Sequence, residues 1–176
     1  MTTSILIRSP ALDDRDEFLE RVRASRSLLG NWVLPPDTPA LFESYIERSA
    51  QDNQCCFLVC LESTGEIAGV INGGEIVRGC FLSSYLGFYG FVPHAGTGVM
   101  TLGLAAVITQ LFGEEGLHRV EANIQPANSR SLALVQRLGF AHEGFSPRYL
   151  KIAGRWRDHE RWALLSDDWQ GLPPPQ

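Results

Sequence analysis

The chain begins with an alternating apolar and polar stretch, "SILIRSP", which predicts a short strand closed by its proline. The period then changes. Leu12, Phe18, Leu19, Val22, Leu28 and Leu29 fall on one helical stripe, which opens with acids suited to a helix N-terminus and closes near Gly30. "VLPPDTP" reads as a proline-rich loop, and Thr38 with Pro39 supplies the cap and first turn of a second helix through about residue 51. "CCFLVCLE", "IAGVINGGEIV" and "CFLSSYLGFYGFV" follow as three strands, with "STGE" and "RG" as hairpin turns and an end at Pro93, so neighbours should pair antiparallel.

A glycine loop, "VPHAGTGVM", hands the third of these strands to an apolar helix over about 98–115. "HRVEANIQ" is a strand and "NSRSLALVQRL" a helix ended by Gly139. Two last strands, about 140–152 and 156–166, are joined by "AGR". The order β-α-α-β-β-β-α-β-α-β-β predicts an α/β fold with a mixed sheet, antiparallel at first and with a parallel crossover in the middle. One domain over 1–168 and a short proline-rich tail over 169–176, disordered at "GLPPPQ", account for the chain.

Two stretches carry candidate chemistry. Gly96 and Gly98 stand where a strand meets a helix. They fit a plain connection, or a cradle in which amides at the helix N-terminus meet a phosphate that no β-carbon blocks. No G-K-[ST] follows, and the third glycine of a dinucleotide fingerprint is missing. In "NIQPANSRSLALVQRLGF", Asn128 or Ser129 is a natural helix cap, and Ser131 lies in the first turn.

Composition narrows the partners. Across 176 residues the net charge is −5, with acids and bases mixed, which argues against a nucleic-acid binder. No apolar run reaches the length of a membrane span and no secretion signal is evident, so a cytoplasmic protein is expected. Cys55, Cys56, Cys60 and Cys80 show no metal-ligand spacing; reduced, partly buried thiols and no metal are expected.

The strand, G-x-G loop and helix, followed by N-x-x-S and "RLGF", resemble the GNAT superfamily of N-acetyltransferases. "LGNW", "IVRGCFLSSYLGF", "HRVEANIQPANSRS", "RLGFAHEGF" and "WRDHERWAL" are most similar to its ribosomal-protein-alanine (RimJ/RimL-type) branch, the RimJ side above all. The resemblance implies a centrally splayed sheet of about six to seven strands flanked by about four helices. It implies acetyl-CoA as cosubstrate and a primary amine as acceptor.

The loop would hold the CoA pyrophosphate through backbone amides of His94, Ala95, Gly96, Thr97, Gly98 and Val99. The pantetheine arm would lie along Gly90 to Val92, and Asn128 would meet the arm or the phosphates. An amide of Phe91 or Val92 would polarise the thioester carbonyl. The family's loop begins with Gln or Arg where this chain has Pro93, which offers neither side chain nor N–H; His94, Arg130 or Arg137 would compensate.

For the chemistry, the family's glutamate aligns with Asn123. Glu121, two residues earlier on the same strand face, is the candidate base; its alternative is a surface acid paired with Arg119. Glu75 is a second candidate. No tyrosine occupies the family's usual acid position near Val135, so Ser131 takes that role, with Tyr85, Tyr89 and Tyr149 as further hydroxyls. The expected acceptor is a protein or peptide N-terminus, flanked by Trp32 and Trp156. A small amine or antibiotic is the other enzyme reading, and a non-catalytic acyl-CoA-binding domain the reading of another class. Monomer and homodimer both fit.

Overall fold

A computed structural model of the chain describes residues 4–172. Strand β1 (Ile5–Arg8) leads through a 3-10 turn (Leu12–Asp14) into α1 (Arg15–Ala24), α2 (Arg26–Leu29) and α3 (Pro39–Ser49). Strands β2 (Cys55–Leu61), β3 (Ile67–Val77) and β4 (Ser83–Gly90) follow, then α4 (Val99–Gly113), β5 (Arg119–Ile124), α5 (Ser129–Arg137), β6 (Ala141–Ile152) and β7 (Arg155–Leu165). The seven strands form one sheet in the order β1-β2-β3-β4-β5-β7-β6. Only the β4–β5 pair is parallel, as the crossover through α4 requires.

Thr38 caps α3 by accepting the Leu41 amide proton at 3.3 Å, with Pro39 in the first turn. Helix α4 is apolar nearly all round and is buried on the sheet face that carries Leu86, Val120, Ala122 and Trp162. It seats deeply because residue 103 is glycine: a β-carbon there would stand 2.6 Å from Val59. Helices α1 and α3 cover the other face. Phe18 packs on Phe42 with ring centroids 4.9 Å apart and meets Phe91 edge-on at 5.8 Å. Phe91, just beyond β4, is thereby fixed in the core, and the chain leaves it as the glycine loop.

The sheet is forked at its centre. β4 and β5 pair only over Ser83–Tyr85 with Arg119–Glu121. Beyond that, β4 stays with β3 up to Gly90 and β5 stays with β7 up to Ile124. A gap therefore opens from Leu86 and Ala122 toward the C-terminal ends of both strands.

Three expectations are corrected. The stripe over 12–30 is not one helix: it breaks at Ser25, whose buried hydroxyl accepts the Val92 amide proton at 3.0 Å, so the described residues form five α-helices. The strand expected over 80–92 runs only from Ser83 to Gly90. At its start Leu82 has φ +44°, and its carbonyl accepts the His118 amide proton at 2.7 Å. Trp169, placed in the tail, packs against the core and donates its indole proton to Thr109 Oγ1 at 3.1 Å; residues 173–176 lie outside the described residues.

The cysteines are free thiols, with Cys55 and Cys56 on opposite faces. Burial, helped by Glu115, pushes the Cys55 thiol up to about 11.

Candidate active site

The glycine loop joins the open end of β4 to α4. Gly96 and Gly98 have φ +84° and +92°, a region that favours glycine, and the space their β-carbons would fill is empty. Two loop amides are spent internally: Ala95 donates to the Phe91 carbonyl at 2.8 Å and Thr97 to the His94 carbonyl at 3.3 Å. The Thr97 hydroxyl donates to that same carbonyl at 2.6 Å. Thr101 and Leu102 both donate to the Gly98 carbonyl. Among the described residues, the amides of His94, Gly96, Gly98, Val99 and Met100 find no protein acceptor. They lie at the positive end of α4, whose first turn holds no acid, an arrangement suited to a diphosphate.

Of the three residues expected to compensate for Pro93, Arg137 reaches the start of α4. Its guanidinium donates to Thr101 Oγ1 at 3.4 Å, which places a cation on the first turn of α4. His94 turns the other way. Its Nε2 is 3.2 Å from Glu66, within ion-pair distance but off the line of a hydrogen bond, and Glu66 also meets Arg21 at 3.3 Å. The imidazole thus ties the loop to the start of β3. Arg130 is exposed.

The open edge of β4 is not where the sequence placed it. The Phe91 amide donates to the Ala68 carbonyl at 2.8 Å and the Val92 amide to Ser25, so neither is free to polarise a carbonyl. Since Phe91 pairs with β3, alternation turns the amides and carbonyls of Phe88 and Gly90 away from β3 and into the gap.

Glu121 sits at the fork. Its Oε1 accepts from Arg119 Nε at 2.8 Å, and Arg119 Nη1 donates to Glu143 at 2.9 Å. The pairing with Arg119 foreseen in the sequence is present, and Glu121 Oε2 has no partner among the described residues. Tyr85, directly across the ladder, has its phenol pushed up by burial and then by Glu121 and the nearby Tyr149 hydroxyl. Glu75 is exposed with φ +50°, on the closed side of the fork beyond the Gly74–Tyr85 pair, and is not brought to the gap.

Asn128 is the cap of α5, where its Oδ1 accepts the Ser131 amide proton at 3.3 Å. The half-buried Ser131 hydroxyl has no protein partner among the described residues. Tyr89 is packed in the aromatic layer, with its phenol pushed up by burial. Trp32 and Trp156 are both exposed. The loop before Trp32 is latched to the end of β5, where Gln125 donates to the Asn31 carbonyl at 3.1 Å.

A further polar group lies on β7. Arg157, His159 and Arg161 alternate along β7 on the face that carries Glu121 and Asn123. His159 is 2% exposed and its Nδ1 donates to the Arg157 carbonyl at 2.9 Å; burial holds its pKa below the usual histidine value. The period-2 placement was readable, but polar residues on a strand more often face solvent.

Known proteins share this architecture. The profile of the family described as "Acetyltransferase (GNAT) domain" matches residues 4–141. The Escherichia coli [Ribosomal protein uS5]-alanine N-acetyltransferase is 43% identical over 104 residues, 59% of this chain and 54% of that protein. The match therefore spans about half the length of that relative. The Bacillus subtilis probable N-acetyltransferase YjcK is 32% identical over 124 residues, 70% of this chain and 68% of that protein. The structure of Mycobacterium smegmatis RimJ in complex with CoA-disulfide superposes with a TM-score of 0.85 at 26% identity, over 98% of this chain and 84% of that one.

Proposed function

The chain belongs to the GNAT family of acetyltransferases, and from that premise we propose that it moves an acetyl group from acetyl-CoA to the α-amine of a protein or peptide N-terminus. The observation that carries this reading is the set of unpartnered amides at Gly96, Gly98, Val99 and Met100 beside a gap whose β4 edge is open. The likeness to the ribosomal-protein-alanine enzyme supports the choice of acceptor.

The loop amides and Arg137 hold the diphosphate of the cosubstrate. The amides and carbonyls of Phe88 and Gly90 pair with the pantetheine arm, as an added strand would. When bound, acetyl-CoA supplies a thioester carbonyl as electrophile. An α-amine, with a pKa of about 7.7–8.0, is partly neutral at pH 7, so orientation contributes much of the acceleration. The unengaged oxygen of Glu121 takes the amine proton through water, and Ser131 gives a proton to the departing thiolate. Asn123 orients the amine between them.

A panel of peptides with free N-termini and small amines tests this, with CoA release and mass analysis as readouts. Acetylation confined to the peptide α-amine supports it. Transfer to small amines alone would replace it with the small-amine reading.

A further inference from the structure

The acceptor face of the sheet carries a charge pattern that bears on which amines it accepts, an inference that rests on the acetyltransferase reading above. The Nε atoms of Arg157 and Arg161 are buried and have no hydrogen-bond acceptor among the described residues. Neither guanidinium makes an ion pair there. A guanidinium keeps its charge throughout the working pH range, so its buried donors call for an anion.

The acids nearby pair elsewhere, with Glu121 Oε2 left open among the described residues. Glu121 and Glu143 share Arg119, and Asp158 accepts the Arg148 amide proton at 2.7 Å. Beside this surplus of cations lies the opposite need. Asn123, the direct cross-strand partner of Arg161, has a buried Oδ1 with no donor among the described residues. An atom able to accept an amine proton therefore neighbours one able to donate to an oxygen.

We propose that Asn123 with Arg161 and Arg157 forms the acceptor site and selects an amine whose carrier bears a carboxylate close by. Asn123 accepts from the amine and Arg161 donates to the first oxygen beyond it. Arg157 is set about 13 Å along the strand and beyond the end of β5, so it takes an anion nearer the mouth. Two guanidiniums also favour the neutral amine, the form that reacts, and repel a polyamine. The carboxylate belongs either to a free α-amino acid or to an acidic side chain near a peptide N-terminus.

The test titrates the CoA-loaded protein with matched acceptors: amidated peptides beginning Ala-Glu and Ala-Gln, alanine and alaninamide, and spermidine. The kcat/KM for each is measured with acetyl-CoA. The carboxylate member of a pair should be preferred by about tenfold or more, as a charged hydrogen bond provides, and the pair that shows the preference identifies its source. Arg161→Gln and Arg157→Gln should erase the preference through KM, leave CoA affinity unchanged, and leave thermal stability equal or higher because a buried Nε donor without an acceptor is gone. CoA binding with equal use of both members, or with spermidine preferred, would overturn the proposal. Failure to bind CoA would remove the acetyltransferase reading instead, and this proposal with it.

Discussion

Ser25 and Val92 lie 67 positions apart in sequence, yet the Ser25 hydroxyl accepts the Val92 amide proton at 3.0 Å. That bond joins the break between α1 and α2 to the segment entering the glycine loop. Ser25→Ala strands a donor, a loss of about 1–3 kcal/mol. Thermal denaturation should show a fall of several degrees, and the KM for acetyl-CoA should rise because the loop loses an anchor. An unchanged melting temperature and KM would show that the bond contributes nothing.

Ser131→Ala should lower kcat more than tenfold, a barrier change above about 1.4 kcal/mol. The KM for acetyl-CoA should hardly move, since the cap bond at that position uses the Ser131 amide and not its hydroxyl. Steady-state kinetics decide it, and wild-type turnover in the variant would remove Ser131 from the chemistry.

Glu121→Gln should cost about 10²-fold or more in kcat at pH 7 if Glu121 takes the amine proton. The deficit should shrink above about pH 8, where the α-amine is neutral without help. A pH–rate profile parallel to that of the wild type would instead leave Glu121 as the structural partner of Arg119.

Stability should fall on the acid side in two stages. Burial lowers the His159 pKa, so the folded state binds fewer protons than the unfolded chain below about pH 6.5, and stability declines from there as pH drops. Burial alone would raise Asp14, but hydrogen bonds from Arg8 and the Ala11 amide outweigh it and hold the carboxyl low. Its contribution is complete above the unfolded value of about 3.9 and is lost as pH falls below it. Melting temperatures across pH 3–8 would show this, and His159→Gln should flatten the first stage alone.

What the sequence disclosed and what it hid follow from the range of the interactions. The succession of strands and helices along the chain, the caps at Thr38 and Asn128, and the Arg119–Glu121 pair depend on residues two to four apart, so period and spacing exposed them. The break at Ser25 left no mark, because Val22 and Leu29 continue the apolar stripe on either side and its cause is a partner from a distant strand end. The amides of Phe91 and Val92 are hidden from the sequence for the same reason, since their acceptors are Ala68 and Ser25. Arg157 and Arg161 had the alternation of a strand, but only the fold shows that their Nε atoms are buried.

The cradle at Gly96 and Gly98 underlies the whole account, and calorimetry with paired ligands tests it most directly. Acetyl-CoA should give a saturable heat, and acetyl-pantetheine, which lacks the diphosphate, should bind at least about a hundredfold more weakly, the worth of one or two charged hydrogen bonds. Gly98→Ala should reproduce much of that loss while the protein stays folded, because its φ of +92° strains any other residue by only about 1–2 kcal/mol. Equal affinity for the two ligands, or no heat with either, would contradict it.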